Sequence, residues 1–352
     1  MKLVFAQLLP TILNLGGGSI PFQTNSKKTV GKVPVKPQPK LIREVLGTTP
    51  LVGYEGKLNQ TFTLGKETPF NFTLRSAEYT VGRVNIGTDP VSFGGDEKLL
   101  VLHFTAQNSM SRAFSFSTSY LNFIAVDASG VSRKYINNIA REVTGEPVNL
   151  TLNPGQKIDA YTVIKVGAFG AVPKLIVKHA YEDKAPIVRY DLRGVAKKLP
   201  APYADPSDKS GATALKTVEA TSGTWYPVTD FFDARLEKVE YSTNKFDGRE
   251  LGAGNRYCIA MFTIRNGGKR AVNMSSSDFR ADLNDVDGEK TNYNNTMLKG
   301  SRDEAAFAQV EPGEETRVRF FWQLPEKVDA QTVLLKYGYN TDSRTFAFPV
   351  AR

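Results

Sequence analysis

Cysteine and histidine are nearly missing from this 352-residue chain, which has one cysteine, Cys258, and two histidines, His103 and His179. A lone cysteine excludes an intramolecular disulfide framework and any multi-cysteine zinc or iron–sulfur site. Long apolar runs are scarce too. Residues 3–15 form the only such stretch, and a spanning helix needs about 20 mostly apolar residues. Pro10, Asn14 and Gly16-Gly17-Gly18 interrupt it, so a stable membrane span is not expected. Behind Met1-Lys2, the run has the layout of a secretory signal over residues 1–18, although no A-x-A cleavage site follows.

Charge of one sign is concentrated. The chain carries a net +9, and between residues 24 and 46 lie Lys27, Lys28, Lys32, Lys36, Lys40 and Arg43 against Glu44 alone. The same stretch holds Pro34, Pro37 and Pro39, which fix φ and remove donors, so residues 19–47 read as an extended basic spacer. Its six cations are the candidate contacts for an anionic cell-envelope polymer or lipid head groups. Aromatic interleaving is absent, so no specific nucleic acid is expected. A second proline-bearing stretch, residues 194–224, shows no apolar periodicity and reads as a linker.

The rest of the sequence is said twice. Residues 94–192 recur as 252–350 at a constant offset (252 − 94 = 158). Phe104, Thr105 and Asn108 return as Phe262, Thr263 and Asn266, and Pro154-Gly155 returns as Pro312-Gly313. Leu74, Glu78 and Tyr79 match Leu236, Glu240 and Tyr241 at a larger offset (236 − 74 = 162), which places one length change, in a loop, between Val81 and Phe93. Internal duplication explains a register held over such a length.

Within each copy the apolar residues alternate. Leu100, Leu102 and Phe104 share a face, as do Cys258, Ala260 and Phe262; Thr162, Ile164 and Val166 match Phe320, Trp322 and Leu324. Period two marks half-buried strands, and Asp127 to Gly130 and Asn153-Pro154-Gly155 supply turns at the spacing of an all-β domain. The expected architecture is all-β: two tandem immunoglobulin-like antiparallel β-sandwiches from an internal duplication, over residues 48–193 and 225–352.

One string of motifs in the second copy resembles a known family. Thr263 to Asn266, Ser276 to Phe279, Asp285 to Gly288 and Pro312-Gly313-Glu314 are similar to the immunoglobulin-like domains of unknown function of bacterial secreted proteins and lipoproteins, a group including the mycobacterial secreted immunoprotective antigen. The first copy departs from it at Tyr120-Leu121 and Gln156. The resemblance implies export and no assigned catalytic residue. Relatives with a lipid anchor carry it on a cysteine after the signal, and none stands there.

Candidate sites are few. Met261 and Tyr337 replace the two histidines in the second copy, so both are expected to be structural, and Cys258 is expected to be a buried, inert thiol. Asp282, Asp285 and Asp287 form the sharpest chemical cluster, a possible Ca²⁺ site by its carboxylates, with a plain hairpin turn as the other reading. No cofactor is implied. The expectation is a non-catalytic, exported binding or structural module, extracellular or in the cell envelope, with a protein partner also open. Its rivals are an assembly subunit that joins through sheet edges and a hydrolase using loop carboxylates.

Overall fold

The computed structural model describes residues 52–245, 248–286, 290–291, 297–338 and 342–350, all within one compact unit, Glu44–Arg352. Strands dominate, and the two helical elements, Thr118–Tyr120 and Ser276–Asp278, are single 3₁₀ turns.

Two β-sandwiches follow one another. In the first, a sheet ordered Gly53–Glu55, Ile187–Tyr190, Lys174–His179, Leu121–Val126, Ser132–Lys134 faces one ordered Ala140–Arg141, Lys157–Gly167, Glu97–Asn108, Phe70–Thr80, Thr61–Leu64. In the second, Thr217–Glu219, Thr345–Pro349, Ala330–Tyr337, Phe279–Asp285, Lys290–Thr291 faces Tyr226–Pro227, Phe232–Ser242, Asn255–Asn266, Glu315–Pro325, Leu298–Lys299. The expectation of purely antiparallel sheets needs one correction. Gly53–Glu55 and Thr217–Glu219 each pair in parallel with their neighbours, because the chain enters each sandwich alongside its last strand.

Positions 158 apart take the same places. Phe104 opposes Ala160 and Leu100 opposes Ile164, while Phe262 opposes Val318 and Cys258 opposes Trp322. Both entry strands carry a bulge at the same point, between Leu74 and Ser76 and between Leu236 and Lys238. The alternating residues face inward as their period requires: Leu100, Leu102, Phe104, Phe262 and Phe320 are fully buried. Burying such a side chain contributes about 1.5–3 kcal/mol, and each sandwich has its own core.

Alternation mispredicts the other face of the first sandwich. Leu99, Val101 and Val163 point away from the main core yet are buried, in a second cluster with Ile86 and Ala140. There the extra length after Val81 forms a small hairpin, Asn85–Ile86 with Asp89–Pro90, whose apolar side covers that face; in the second sandwich the same places, Tyr257, Ile259 and Phe321, are buried beside Leu298.

The segment expected as a linker is packed instead. Leu199, Ala212 and Ala214 are buried in the first core, Val218 belongs to the second, and Tyr203 touches both. Spaced small and apolar residues suffice for this irregular cover, and they leave no periodicity to read.

Candidate functional site

Where the sandwiches meet, buried charge accumulates. Arg83, on the segment leading into the extra hairpin, donates from Nε to the Asp230 carbonyl at 2.6 Å and from its terminal nitrogen to Asp233 Oδ1 at 2.9 Å. Arg265 donates to the other oxygen, Asp233 Oδ2, at 2.9 Å. Asp233 is thus shared between two guanidiniums, and the Arg83 and Asp233 side chains are each 10% exposed. In the first sandwich the same places hold a neutral pair, with Asn71 donating to Gln107 at 3.2 Å. Ser92 donates to Asp230, and Arg270 pairs with Asp89 at 3.0 Å, so both ends of the hairpin reach across.

Arg344 crosses in the opposite direction. Its guanidinium donates to the carbonyls of Leu215 at 2.7 Å, Glu97 at 3.1 Å and Gly95 at 3.3 Å. Burial lowers its pKa to about 10, with Tyr203 acting in the other sense. Even so it stays charged near neutrality, held by three carbonyl dipoles. Desolvation pushes the neighbouring Tyr203 phenol up to about 12.

These contacts frame a groove of about 290 Å³ lined from both sides, by Val91, Phe93 and Lys165 and by Val228, Thr229 and Tyr337 among others. Arg83 and Arg344 also line it but spend their donors on the junction. Among the described residues the Lys165 side chain has no hydrogen-bond or ion-pair partner.

A shallower concavity of about 270 Å³ holds His103 between two carboxylates. Its Nδ1 lies 2.9 Å from Glu142 and its Nε2 3.6 Å from Glu78, while Arg75 holds Glu142 from the other side at 3.0 Å. A histidine–carboxylate pair needs a nucleophile within reach to act as a base. Tyr161, the hydroxyl here, already donates to the Asn85 carbonyl at 2.6 Å, and burial, then Glu142, raises its pKa.

Residues 226–344 match the family described as Domain of unknown function (DUF4352). The matched span falls within the second sandwich. The motif strings read from the sequence lie in the same span. No curated protein matches the chain. Among solved structures, the chain is similar to an uncharacterised β-sandwich protein of Clostridium difficile 630, at 18% identity over 38% of this chain and 96% of that one, with a TM-score of 0.28. It is also similar to MPT63, a secreted protein of Mycobacterium tuberculosis, at 14% identity over 40% and 97%, with a TM-score of 0.27.

The carboxylates singled out in the second sandwich lie at its Phe279–Asp285 strand. Asp282 is buried and takes a contact from Arg280 Nε at 3.4 Å; Asp285 is buried at the strand end. Asp287 lies outside the described residues. Asp127 stands where Asp285 does and shows what this position does in the first copy. Its carboxylate accepts from the backbone N–H groups of Ser129 and Val131 and from Arg133 Nε, closing the hairpin. Among the described residues no group of three His, Cys, Asp or Glu is placed to hold a metal ion. Lys27, Lys28, Lys32, Lys36, Lys40 and Arg43 lie outside the described residues. No helix of the described residues is long and apolar enough to cross a membrane.

His179 is fully buried. Tyr181 N donates to its Nδ1 at 3.3 Å, leaving Nε2 to donate to Thr68 Oγ1 at 3.0 Å. Thr68 Oγ1 in turn donates a hydrogen bond to Glu182, which also accepts from the N–H groups of Lys66 and Thr68 and so fastens the turn before Phe70. Burial depresses the imidazole pKa against the pull of Glu182. Cys258 is fully buried, and desolvation lifts its thiol to about 12. Both residues are structural.

Arg83, Asp233, Lys165 and Arg344 escaped sequence reasoning. The available signal was difference between the copies: Asn71 stands where Asp233 does, Gln107 where Arg265 does, and Pro186 where Arg344 does.

Proposed function

We propose that the chain is an exported, non-catalytic binding module of duplicated sandwiches, whose ligand surface is the groove between them. The observation that carries this reading is the groove itself: both sandwiches line it, buried ion pairs fix its walls, and Lys165 faces a ligand with its charge unspent. A polar ligand with a negative group fits that lining, and an anionic cell-envelope polymer is the class proposed. The basic segment Lys27 to Arg43 would add retention at the same polymer or at lipid head groups, each cation contributing about 1 kcal/mol near an anionic surface. Export is supported by the layout of residues 1–18. The non-catalytic reading is supported by the committed groups: the Tyr161 hydroxyl is bonded, the Cys258 thiol is buried, and the Arg83 guanidinium is paired.

The test is a titration of the ¹⁵N-labelled chain with poly(glycerol phosphate). Shifts at Phe93, Lys165, Thr229 and Tyr337, lost in K165E, support the groove. The same titration of a chain beginning at Gly47 separates the two contributions. If every shift disappears with the arm, or if the groove residues stay still, the groove is not the site.

A further inference from the structure

The first sandwich carries a cover that has no counterpart on the second among the described residues. Beyond Leu192 the chain turns back along Phe70–Thr80, and Lys197 pairs in parallel with Glu78. Lys197 N donates to the Ala77 carbonyl at 2.8 Å, and Tyr79 N donates to the Lys197 carbonyl at 3.0 Å. The Lys197 ammonium lies 3.6 Å from Glu78, and Leu199, Ala212 and Ala214 close over the core behind it. Lys98 Nζ ties the cover down. It donates to the carbonyls of Ala168, Gly170 and, on the covering segment, Ala212, and it lies over the Tyr79 ring at 4.8 Å.

The receiving half of that arrangement is repeated in the second sandwich. Tyr241 stands for Tyr79: its hydroxyl accepts from Ala330 N at 2.8 Å, as Tyr79 accepts from Val172 N at the same distance. Arg256 stands for Lys98. It lies over the Tyr241 ring at 3.8 Å and donates to the Val328 carbonyl at 2.9 Å, the place of Gly170. Glu240 stands for Glu78. Among the described residues, however, no segment pairs with the outer edge of Lys238 to Ser242. Tyr241 is 37% exposed where Tyr79 is 3%, and Arg256 Nε is buried without a hydrogen-bond partner. Tyr226–Pro227 pairs with Ala234 and Asp233, short of this stretch, which is left as an open template for a strand.

We propose that the edge Val239 to Ser242, with Tyr241 and Arg256 beside it, is a docking site for an extended strand of a partner protein. The strand lies parallel to Phe232–Ser242, with a lysine at the place of Lys197, as in Val195-Ala196-Lys197-Lys198-Leu199. The residues around Lys197 set this specification, because the first sandwich already holds that segment in the same place through a single parallel bridge at Lys197. The incoming backbone accepts from the N–H of Tyr241 and donates to the carbonyl of Val239, its lysine faces Glu240, and Arg256 donates to one of its carbonyls as Lys98 donates to that of Ala212. Main-chain bonds supply the affinity and the side-chain positions the selection, as in other strand additions. The site lies apart from the groove of the proposed function and stands without it.

The experiment uses the full chain and a fluorescein-labelled peptide of residues 193–200, read by anisotropy. Saturable binding is expected. A peptide with Lys197→Pro lacks the donated N–H and loses binding; the chain variant E240K weakens it about fivefold or more, on the scale of one exposed ion pair; E78K leaves it unchanged. The peptide substitution keeps the test valid whatever E240K does to folding. Absence of saturable binding, or equal binding by the proline peptide, overturns the proposal. So does weakening by E78K alone, which would mean exchange at the first sandwich. Self-association of the peptide-free chain that the peptide does not displace would assign the edge to a second copy, and overturns it as well.

Discussion

Arg83 of the first sandwich places its guanidinium 2.9 Å from the Asp233 carboxylate of the second, with both side chains largely hidden from water. Removing one partner of a buried pair leaves the other desolvated and costs about 3–5 kcal/mol; Arg265, on the opposite oxygen of Asp233, offsets part of that. For R83A we expect a loss of about 1–3 kcal/mol, on the scale of a charged hydrogen bond. Denaturant unfolding measures it, and a loss under about 0.5 kcal/mol would mean the pair is solvated.

The cores set a larger scale. Phe104 and Trp322 pack in separate clusters, one per sandwich, and truncating either to Ala is expected to cost about 3–5 kcal/mol. A loss below about 1 kcal/mol at either site, read from urea midpoints, would contradict its burial.

The strand pattern was legible because it depends on local alternation: Leu100, Leu102 and Phe104 announce their face at a period of two, and the repeat announces it again in Cys258, Ala260 and Phe262. The junction was not legible. Arg83 and Asp233 lie 150 residues apart, and nothing local marks either as buried. Likewise Leu99 and Val101 read as an ordinary outer face until the hairpin of Asn85–Ile86 and Asp89–Pro90 covers them. The packing of residues 194–224 was missed for a related reason, since Leu199, Ala212 and Val218 anchor an irregular path.

His179 predicts a pH dependence. Its folded pKa is depressed below 6.5, chiefly by burial, so the unfolded chain binds this proton more readily. The stability it contributes is fully present above pH 6.5 and is lost as pH falls through the folded value. Urea midpoints measured downward from pH 7.5 should fall below pH 6.5 in the native protein, and less steeply in H179Q. Identical slopes would show that His179 does not titrate on unfolding.

Cys258 should be silent to thiol reagents while the chain is folded. With the thiol at about 12 and fully buried, less than one thiolate in a thousand exists at pH 8 even before access is considered. Ellman's reagent is expected to report it at the rate of unfolding; fast reaction in native buffer would contradict its placement.

Arg83, Asp233 and Arg344 lock the two sandwiches into one body. Amide ¹⁵N relaxation tests this most directly, because each half reports its own rotational correlation time. The account predicts one shared value for the strands Glu97–Asn108 and Asn255–Asn266, and two shorter, separate values in a chain carrying both R83A and R344A. Separate values in the unaltered chain would contradict it.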